Sequence, residues 1–283
     1  MAKRRFIAPD RRDVADLVFR HPAFAPYAGQ LDLLHGGEWP SLAKLNARAQ
    51  DLHHAHTQGL MRFVLQDSAL LVDGMHYEDR IHAHNEIPTR ATNWHDLLNA
   101  VIWLRWSRMK SALNLRQVID IGKVGLRQRT RAQCALTHFD EAGVAVRIND
   151  EIALAHWDAH EWPLLARRLQ ANPAACDVIV FGHAVLEHAL DPSRLLVGKA
   201  LLVRAEAQIQ TDDWMASIAD RIACGEALND PLELRPLPLA VLPGWHAQST
   251  EEAFLHSAPC FQPRREGRCY PPPLSFASAI SAR

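Results

Sequence analysis

The segment from Thr92 to Asn114 constrains the fold most, because its spacing predicts one long helix that carries large apolar side chains and polar groups together. Thr92 is the predicted N-cap, since its hydroxyl can accept from a backbone N–H two or three residues further on. At about 100° per residue, six informative side chains share one arc of this helix. They are His95, Asn99, Trp103, Trp106, Lys110 and Asn114. The arc predicts either the wall of a cleft or an ordinary face that water covers.

Shorter segments around this helix predict a mixed α+β fold that is predominantly helical in its first half. Ser41 is the expected N-cap of an early helix. In the second half, Cys134–Phe139 and Val144–Val146 predict the arms of a β-hairpin in a small sheet, with Asp140–Gly143 as the turn. The other predicted elements are strands at 177–181 and 199–204 and helices at 77–84, 151–170, 183–190 and 211–225. Residues 60–65 suit a short strand, but their pattern is also compatible with a helix.

The chain has 283 residues, of which 48% are hydrophobic, so it can bury a sizeable core. We expect one globular domain over residues 1–262 and a Pro-rich, extended or disordered tail over 263–283. The five scattered cysteines form no C-x-x-C pair, which favours a reducing cytoplasm over a disulfide framework. No secretory signal is indicated, and no apolar run approaches the roughly 18 residues of a membrane span, so we expect a soluble protein.

The formal net charge of −1 hides a local excess of positive charge. Between Arg105 and Arg131 there are eight basic residues against one acid, Asp120, so this basic window carries +7 and the remainder of the chain carries −8. Such a window predicts either a face that binds anions or a basic face covered by solvent.

The start of the long helix brings together groups that an enzyme could use. His95 could act as a general base, with Asp96 or, from further along the chain, Glu187 as its partner. Amide side chains nearby could donate hydrogen bonds, and a lysine further along could attract an anion. The candidate ligand-binding residues are Asn93, Asn99, Trp103, Lys110, Arg127 and Arg129.

A second group of polar residues follows the predicted strand at 177–181. His183 and Glu187 lie four residues apart and so share a helix face, where they could orient each other or bind a metal. A buried histidine that bonds a local carboxylate is the alternative. The spacing matches neither H-E-x-x-H nor H-x-x-E-H, so no zincin motif is indicated.

The sixteen histidines do not by themselves predict a metal site. The densest clusters, His53–His56 and His82–His84, do not offer three or four ligands at fixed spacing. Glycine-rich nucleotide motifs and the nucleophile elbow are also absent from the sequence. We therefore predict no metal ligands and no particular cofactor.

Several short motifs together carry a resemblance to a known family. They are Pro88–Arg90, Asn93–Asp96, Asn99–Trp103, Lys110–Asn114, Ala135–Thr137, Phe139–Gly143, Phe181–Ala184 with Glu187, and Pro243–Trp245. In these motifs the chain resembles a bacterial family known as domain of unknown function 3025, over most of its length from Phe19 to Pro263. The resemblance implies a bacterial origin. The family tends to have proline where this chain has Ser107, so the resemblance also implies a bend of the long helix at that position. It implies no activity, cofactor or catalytic residue.

Two functions remain open. The first is an enzyme, a hydrolase or transferase, that acts on an anionic ligand. Its candidate catalytic residues are His95, Asp96, His183 and Glu187. The second is a non-catalytic module that binds nucleic acid or a protein through the basic window and exposed tryptophans. Convergence of His95 with His183 or Glu187 in one cleft would favour the enzyme, whereas separation would reduce each motif to packing and capping.

Overall fold

A computed structural model describes residues 6–276 and confirms the α+β class, with helices dominating the first half. The α-helices are α1 (Leu31–Leu34), α2 (Leu42–Arg48), α3 (Tyr77–His84), α4 (Trp94–Arg105), α5 (Ser107–Val124), α6 (Arg131–Ala142), α7 (Glu151–Ala159), α8 (Trp162–Ala171), α9 (His183–His188), α10 (Thr211–Ala223) and α11 (Glu252–Ser257). The strands are β1 (Arg62–Leu65), β2 (Glu86–Thr89), β3 (Gly143–Ile148), β4 (Cys176–Val180), β5 (Val197–Arg204), β6 (Arg235–Pro238) and β7 (Leu274–Ser275). Short 3-10 turns lie at 11–13, 16–20, 22–30, 70–73, 173–175, 231–233 and 239–241.

The larger sheet organises the second half of the chain. Its order is β4-β3-β5-β6, and β7 pairs with the end of β5. β3 is antiparallel to β4 and parallel to β5, and all of its residues are buried, because α6 packs across β3 and β5. β1 and β2 form a separate parallel pair. The strands predicted at 177–181 and 199–204 are confirmed as β4 and β5.

The long helix predicted from Thr92 to Asn114 is in fact two helices, α4 and α5, that meet at Trp106. Trp106 leaves the helical conformation, with φ −125° and ψ 45°, so the chain bends beside Ser107, where the family resemblance implies a bend. The predicted cap is wrong by one residue. Thr92 has a positive φ of 50°, and the side chain of Asn93 accepts from the backbone N–H of Asp96 instead.

The β-hairpin predicted around residues 134–146 is wrong in its first arm. Residues 131–142 form α6, which begins with a capping box in which Thr130 and Gln133 bond each other's backbone N–H groups. The helix buries Leu136 and Phe139, so the apolar pattern that suggested a strand is helical spacing. The second arm is extended as β3, but its antiparallel neighbour β4 arrives only after α7 and α8.

The carboxyl-terminal residues lie against the body of the protein as far as they are described. Arg268 donates to the carbonyl of Leu232, and β7 pairs with β5. The rest of the predicted tail, 277–283, lies outside the described residues. Within the described range, none of the helices combines the length and apolarity that crossing a membrane requires.

Candidate functional site

The polar arc of α4 and α5 lines a cavity of about 460 Å³, despite the bend between the two helices. The arc residues that line it are His95, Asn99, Trp103, Lys110 and Asn114. The amino end of α9 adds His183 to the same cavity. The volume is within the range of about 300–1,000 Å³ that is usual for small-molecule sites. The two groups of polar residues found in the sequence therefore meet in one cleft.

Backbone packing brings His183 beside the end of α6. The N–H groups of Phe181 and Gly182 both donate to the carbonyl of Gly143, at 2.9 and 2.8 Å. A Cβ on Gly182 would lie 2.5 Å from the Gly143 nitrogen and 2.6 Å from backbone atoms of Ala142, so only glycine permits this approach. Since β3 starts where α6 ends and β4 leads into α9, the antiparallel pair places the acidic end of α6 next to His183.

His95 is held between an acid and a second histidine. Its Nδ1 lies 2.9 Å from Glu187 Oε2, and its Nε2 lies 2.9 Å from His183 Nε2. The two imidazole rings meet edge to face, with centroids 4.2 Å apart. The hydrogen bond to Glu187 raises the pKa of His95, against the opposing effect of burial. Glu187 thus orients the ring so that its Nε2 faces the cavity.

His183 is almost completely buried, with 4% of its surface exposed. Burial lowers the pKa of this imidazole to about 3, so the ring is neutral at physiological pH. Its Nε2 also lies 3.4 Å from Glu141 Oε2. Its Nδ1 makes no hydrogen bond of normal geometry within the described range: the Asp140 carboxylate is 3.9 Å away, and the Asp140 backbone carbonyl is close enough only to raise the pKa of the ring against the effect of burial.

Two acids at the end of α6 are site residues that the sequence analysis did not predict. Glu141 lines the cavity and is partly exposed, and burial raises the pKa of its carboxyl group. Burial is the largest influence on the pKa of Asp140 and acts to raise it, but the charges of Lys110, His183 and His95 and the hydrogen bond from Lys110 together outweigh it, so the net shift is downward. The prediction of a hairpin turn at Asp140–Gly143 placed both acids outside any site. The Phe139–Gly143 motif of the family resemblance contains both and is the signal that could have identified them.

Lys110 is buried and holds several polar groups of the cavity together. Its Nζ donates to Asn99 Oδ1 at 2.7 Å and to Asp140 Oδ1 at 2.5 Å. Asn99 Nδ2 in turn donates to the hydroxyl of Tyr77 at 3.0 Å. The charge of Lys110 is therefore already paired inside the protein, so an anionic ligand would need a different cation.

Asn114 connects the cavity to α3 and to the buried ring of His54. Its Nδ2 donates to the backbone carbonyl and the carboxyl group of Glu78, at 2.9 and 2.7 Å. Its Oδ1 lies 3.1 Å from Nε2 of the buried His54. Burial raises the pKa of Glu78 to about 7, so this carboxyl group gains and loses its proton near neutral pH.

The other polar residues predicted at the start of α4 have local partners. Arg90 donates to the Asp96 carboxylate from Nε at 2.9 Å, from Nη2 at 2.7 Å and from its backbone N–H at 2.6 Å. Asp96 lines the cavity but binds Arg90 rather than His95. Asn93 caps α4 and lines a separate, smaller recess. The acid that partners His95 is Glu187.

The basic window is largely neutralised by acids, most of which are distant in sequence. Its pairs are Arg105–Asp212, Arg108–Asp220, Lys110–Asp140, Lys123–Asp120 and Arg131–Asp230, and Arg116 donates to the carbonyls of Ile222 and Ala227. Arg127 and Arg129 form no ion pair with the described part of the chain, and Arg129 lines the cavity. Arg129 is thus the residue of the window best placed to receive an anionic group.

Comparison with known proteins identifies a family but no function. No curated protein and no solved structure matches the chain. The family described as Protein of unknown function (DUF3025) matches residues 61–265, a range that includes every residue lining the cavity. Because this match covers well over half of the chain, the protein belongs to the DUF3025 family.

Proposed function

We propose that the chain is a hydrolase with its reaction centre at His95, His183 and Glu141. One observation carries this proposal: the three side chains meet in one cavity although they come from three helices. One ligand-capable atom from each residue lies within 4.8 Å of the other two. A cleft that gathers titratable groups with shifted pKa values is typical of catalytic sites.

Activation of a water molecule is the chemistry that these groups support best. When Nδ1 of His95 donates to Glu187, the lone pair on Nε2 faces the cavity. A water molecule at this point would be polarised or deprotonated as it attacks an ester, amide or phosphoester. Glu187 contacts His95 but does not line the cavity, so we assign it a positioning role.

Arg129 supports a substrate that carries an anionic group. It lines the same cavity as His95, and its guanidinium has no ion pair with the rest of the described chain. A transferase that moves an acyl or phosphoryl group to a hydroxyl acceptor would use the same base. We place the enzyme in the cytoplasm, because its five cysteines are free.

The test is an assay of the purified chain against chromogenic esters, amides, phosphomonoesters and phosphodiesters. His95→Ala should lower kcat/KM on the best substrate by about 100-fold or more, since general-base catalysis contributes about 100- to 10,000-fold. Glu187→Gln should lower kcat by about 10-fold with little change in KM, because the ring loses its orientation but the cavity keeps its shape.

His156→Ala is the matched control. His156 Nδ1 lies 2.7 Å from Glu161 Oε2, so the pair repeats the His95–Glu187 contact outside the cavity. This variant should keep full activity. Hydrolysis that survives His95→Ala unchanged, or no hydrolysis anywhere in the panel, would contradict the proposed function.

A further inference from the structure

The rings of His95 and His183 approach each other through their Nε2 atoms, and the position of the hydrogen atoms on the two rings needs an explanation. His95 Nε2 and His183 Nε2 are 2.9 Å apart. In a neutral imidazole one nitrogen carries a hydrogen and the other a lone pair. Because Nδ1 of His95 donates to Glu187, its Nε2 presents the lone pair toward His183.

Each neutral tautomer of His183 leaves a conflict if only protein atoms are present. With the hydrogen on Nε2, the ring can donate to His95, but the buried Nδ1 lone pair then has no donor among the described residues. With the hydrogen on Nδ1, two Nε2 lone pairs point at each other and repel. A cation held by both lone pairs removes this repulsion, and Nδ1–H then faces the Asp140 carboxylate 3.9 Å away.

Glu141 offers a third ligand atom at the same point. Its Oε2 lies 3.4 Å from His183 Nε2, and one atom from each of the three residues lies within 4.8 Å of the others. Catalytic metal sites commonly combine imidazoles and a carboxylate and leave coordination positions open for water or substrate. Here the open side would be the 460 Å³ cavity that all three residues line.

The surrounding charges also favour a cation. The carboxylates of Asp140, Glu141 and Glu187 contact the histidine pair, whereas the ammonium of Lys110 is bound to Asp140. A proton shared between the two rings would also join them, and it would leave the partly exposed Glu141 carboxylate to water. A divalent ion can bind all three groups.

We infer that His95 Nε2, His183 Nε2 and Glu141 together bind one divalent transition-metal ion. Two ligands about 2.05 Å from an ion lie about 2.9 Å apart when they are at right angles, as in octahedral coordination, and about 3.3 Å apart at the tetrahedral angle, so the separation of the two nitrogens fits an octahedral site best. The imidazoles disfavour Ca²⁺ and Mg²⁺, which prefer oxygen ligands. Glu187 then becomes the outer carboxylate that metal-bound histidines usually have.

The role of the ion rests on the proposed function: with Nε2 of His95 bound to it, the ion would activate the attacking water in place of that lone pair, but its binding does not depend on any activity. This makes the site testable without a known substrate.

The experiment titrates Zn²⁺ and Co²⁺ into the full chain after removal of metal with a chelator. Competition with a chromogenic chelator gives the Zn²⁺ affinity, and the visible absorption of Co²⁺ reports nitrogen and oxygen ligation. We expect one ion per chain. His95→Ala, His183→Ala and Glu141→Gln should each weaken binding by at least about 100-fold, and Glu187→Gln by about 10- to 100-fold, as outer-shell partners do.

Histidines elsewhere must be controlled, because the chain has sixteen. His53→Ala and His156→Ala remove histidines that do not line the cavity, and both variants should bind as the unmodified chain does. Circular dichroism and Tm check the fold of each variant. If His183→Ala does not fold, Glu141→Gln decides, since this partly exposed side chain can change without opening the core.

Two results would overturn the inference. In the first, neither Zn²⁺ nor Co²⁺ binds with a Kd below about 10 µM, which is much weaker than binding at structural Zn²⁺ sites. In the second, one ion binds per chain and folded Glu141→Gln and His95→Ala variants retain that binding. If the chain binds metal but hydrolyses nothing, the proposed function is rejected and the metal site stands. If the chain binds no metal and still hydrolyses a substrate in the presence of a chelator, the metal site is rejected and the proposed function stands.

Discussion

His54 and His183 are both buried, with 0% and 4% of their surfaces exposed, but their surroundings differ. His54 lies in the loop between α2 and β1. Its Nδ1 accepts from the backbone N–H groups of His56 and Thr57, at 3.3 and 3.2 Å, so its Nε2 carries the hydrogen and donates to Asn114. Both ring nitrogens of His54 are therefore satisfied by the protein.

The ring of His183 is satisfied only in part. Its Nδ1 makes no hydrogen bond of normal geometry in the described chain, and its Nε2 faces His95 and a cavity. A histidine with complete bonds stabilises a loop, whereas one with open bonds is available to a ligand. Hydrogen-bond partners, and not burial, therefore distinguish a histidine whose ring the protein satisfies completely from one that keeps a free nitrogen.

Gly182→Ala should disrupt the His183 region most strongly. The new Cβ would meet backbone atoms of Ala142 and Gly143 at 2.5–2.6 Å, and backbone cannot yield as a flexible side chain does. We expect the free energy of unfolding to fall by about 4 kcal/mol, measured by denaturant titration. Gly122→Ala, where a Cβ meets nothing within 4 Å, is the control and should not destabilise. A loss below about 1 kcal/mol for Gly182→Ala would contradict the close packing of α9 on α6.

His54→Ala should produce the next largest loss, about 3 kcal/mol in the free energy of unfolding. Two backbone N–H groups and the Asn114 oxygen would lose their partner. Denaturant titration measures this loss as well, with the exposed His53 changed to alanine as the neighbouring control. Equal effects of the two changes would show that the loop does not depend on the bonds of His54.

The pH dependence of stability should distinguish His54 as well. Burial lowers the pKa of its ring to about 4, against the bond to Asn114, and the charges of His82 and His56 add to this. His54 therefore takes up a proton near pH 6.5 in the unfolded chain but only near pH 4 in the folded chain. The free energy of unfolding consequently falls as the pH decreases from about 6.5 to about 4. Between pH 7 and pH 5 we expect a loss of about 2 kcal/mol from this residue. His54→Gln should remove this loss from a plot of the free energy of unfolding against pH. An unchanged plot would contradict the assignment of the loss to His54.

The smallest effect should come from His183→Gln in metal-free buffer. The ring has one hydrogen-bond partner to lose, so the free energy of unfolding should change by less than about 1 kcal/mol. Thermal and denaturant unfolding measure this change, with His54→Ala examined under the same conditions for comparison. A loss as large as that of His54→Ala would make both histidines structural and would remove the contrast between them.

Local sequence signals predicted the elements whose stabilisation is local. Ser41 does cap α2, and the β-branched segment at 177–181 and the acidic start at Thr211 do mark β4 and α10. The bend at Trp106 was implied only by the family resemblance, because one non-helical residue does not disturb the apolar spacing. The capping box of Thr130 and Gln133 was present in the sequence and would have identified α6 as a helix.

The candidate site was predicted in part for the same reason. His95 and His183 stand out because each lies at a helix start among apolar residues, and Glu187 because it follows His183 by four residues. Glu141 does not, because its role depends on the pairing of β3 with β4, and no local pattern reveals a pairing between segments separated by two helices. Of the two acids predicted as partners of His95, Glu187 contacts it, whereas Asp96 is bound by Arg90 instead.

The antiparallel pairing of β3 and β4 also has a consequence for the order of folding. Helices α4, α5 and α6 contact each other in sequence order, so they can assemble through short loop closures. His183 reaches them only when β4 joins β3, a contact of higher contact order that must wait for α7 and α8. A refolding chain should therefore regain the helical signal of α4 to α6 before the histidine pair forms, and capture of a ligand by that pair would report that β4 has joined β3.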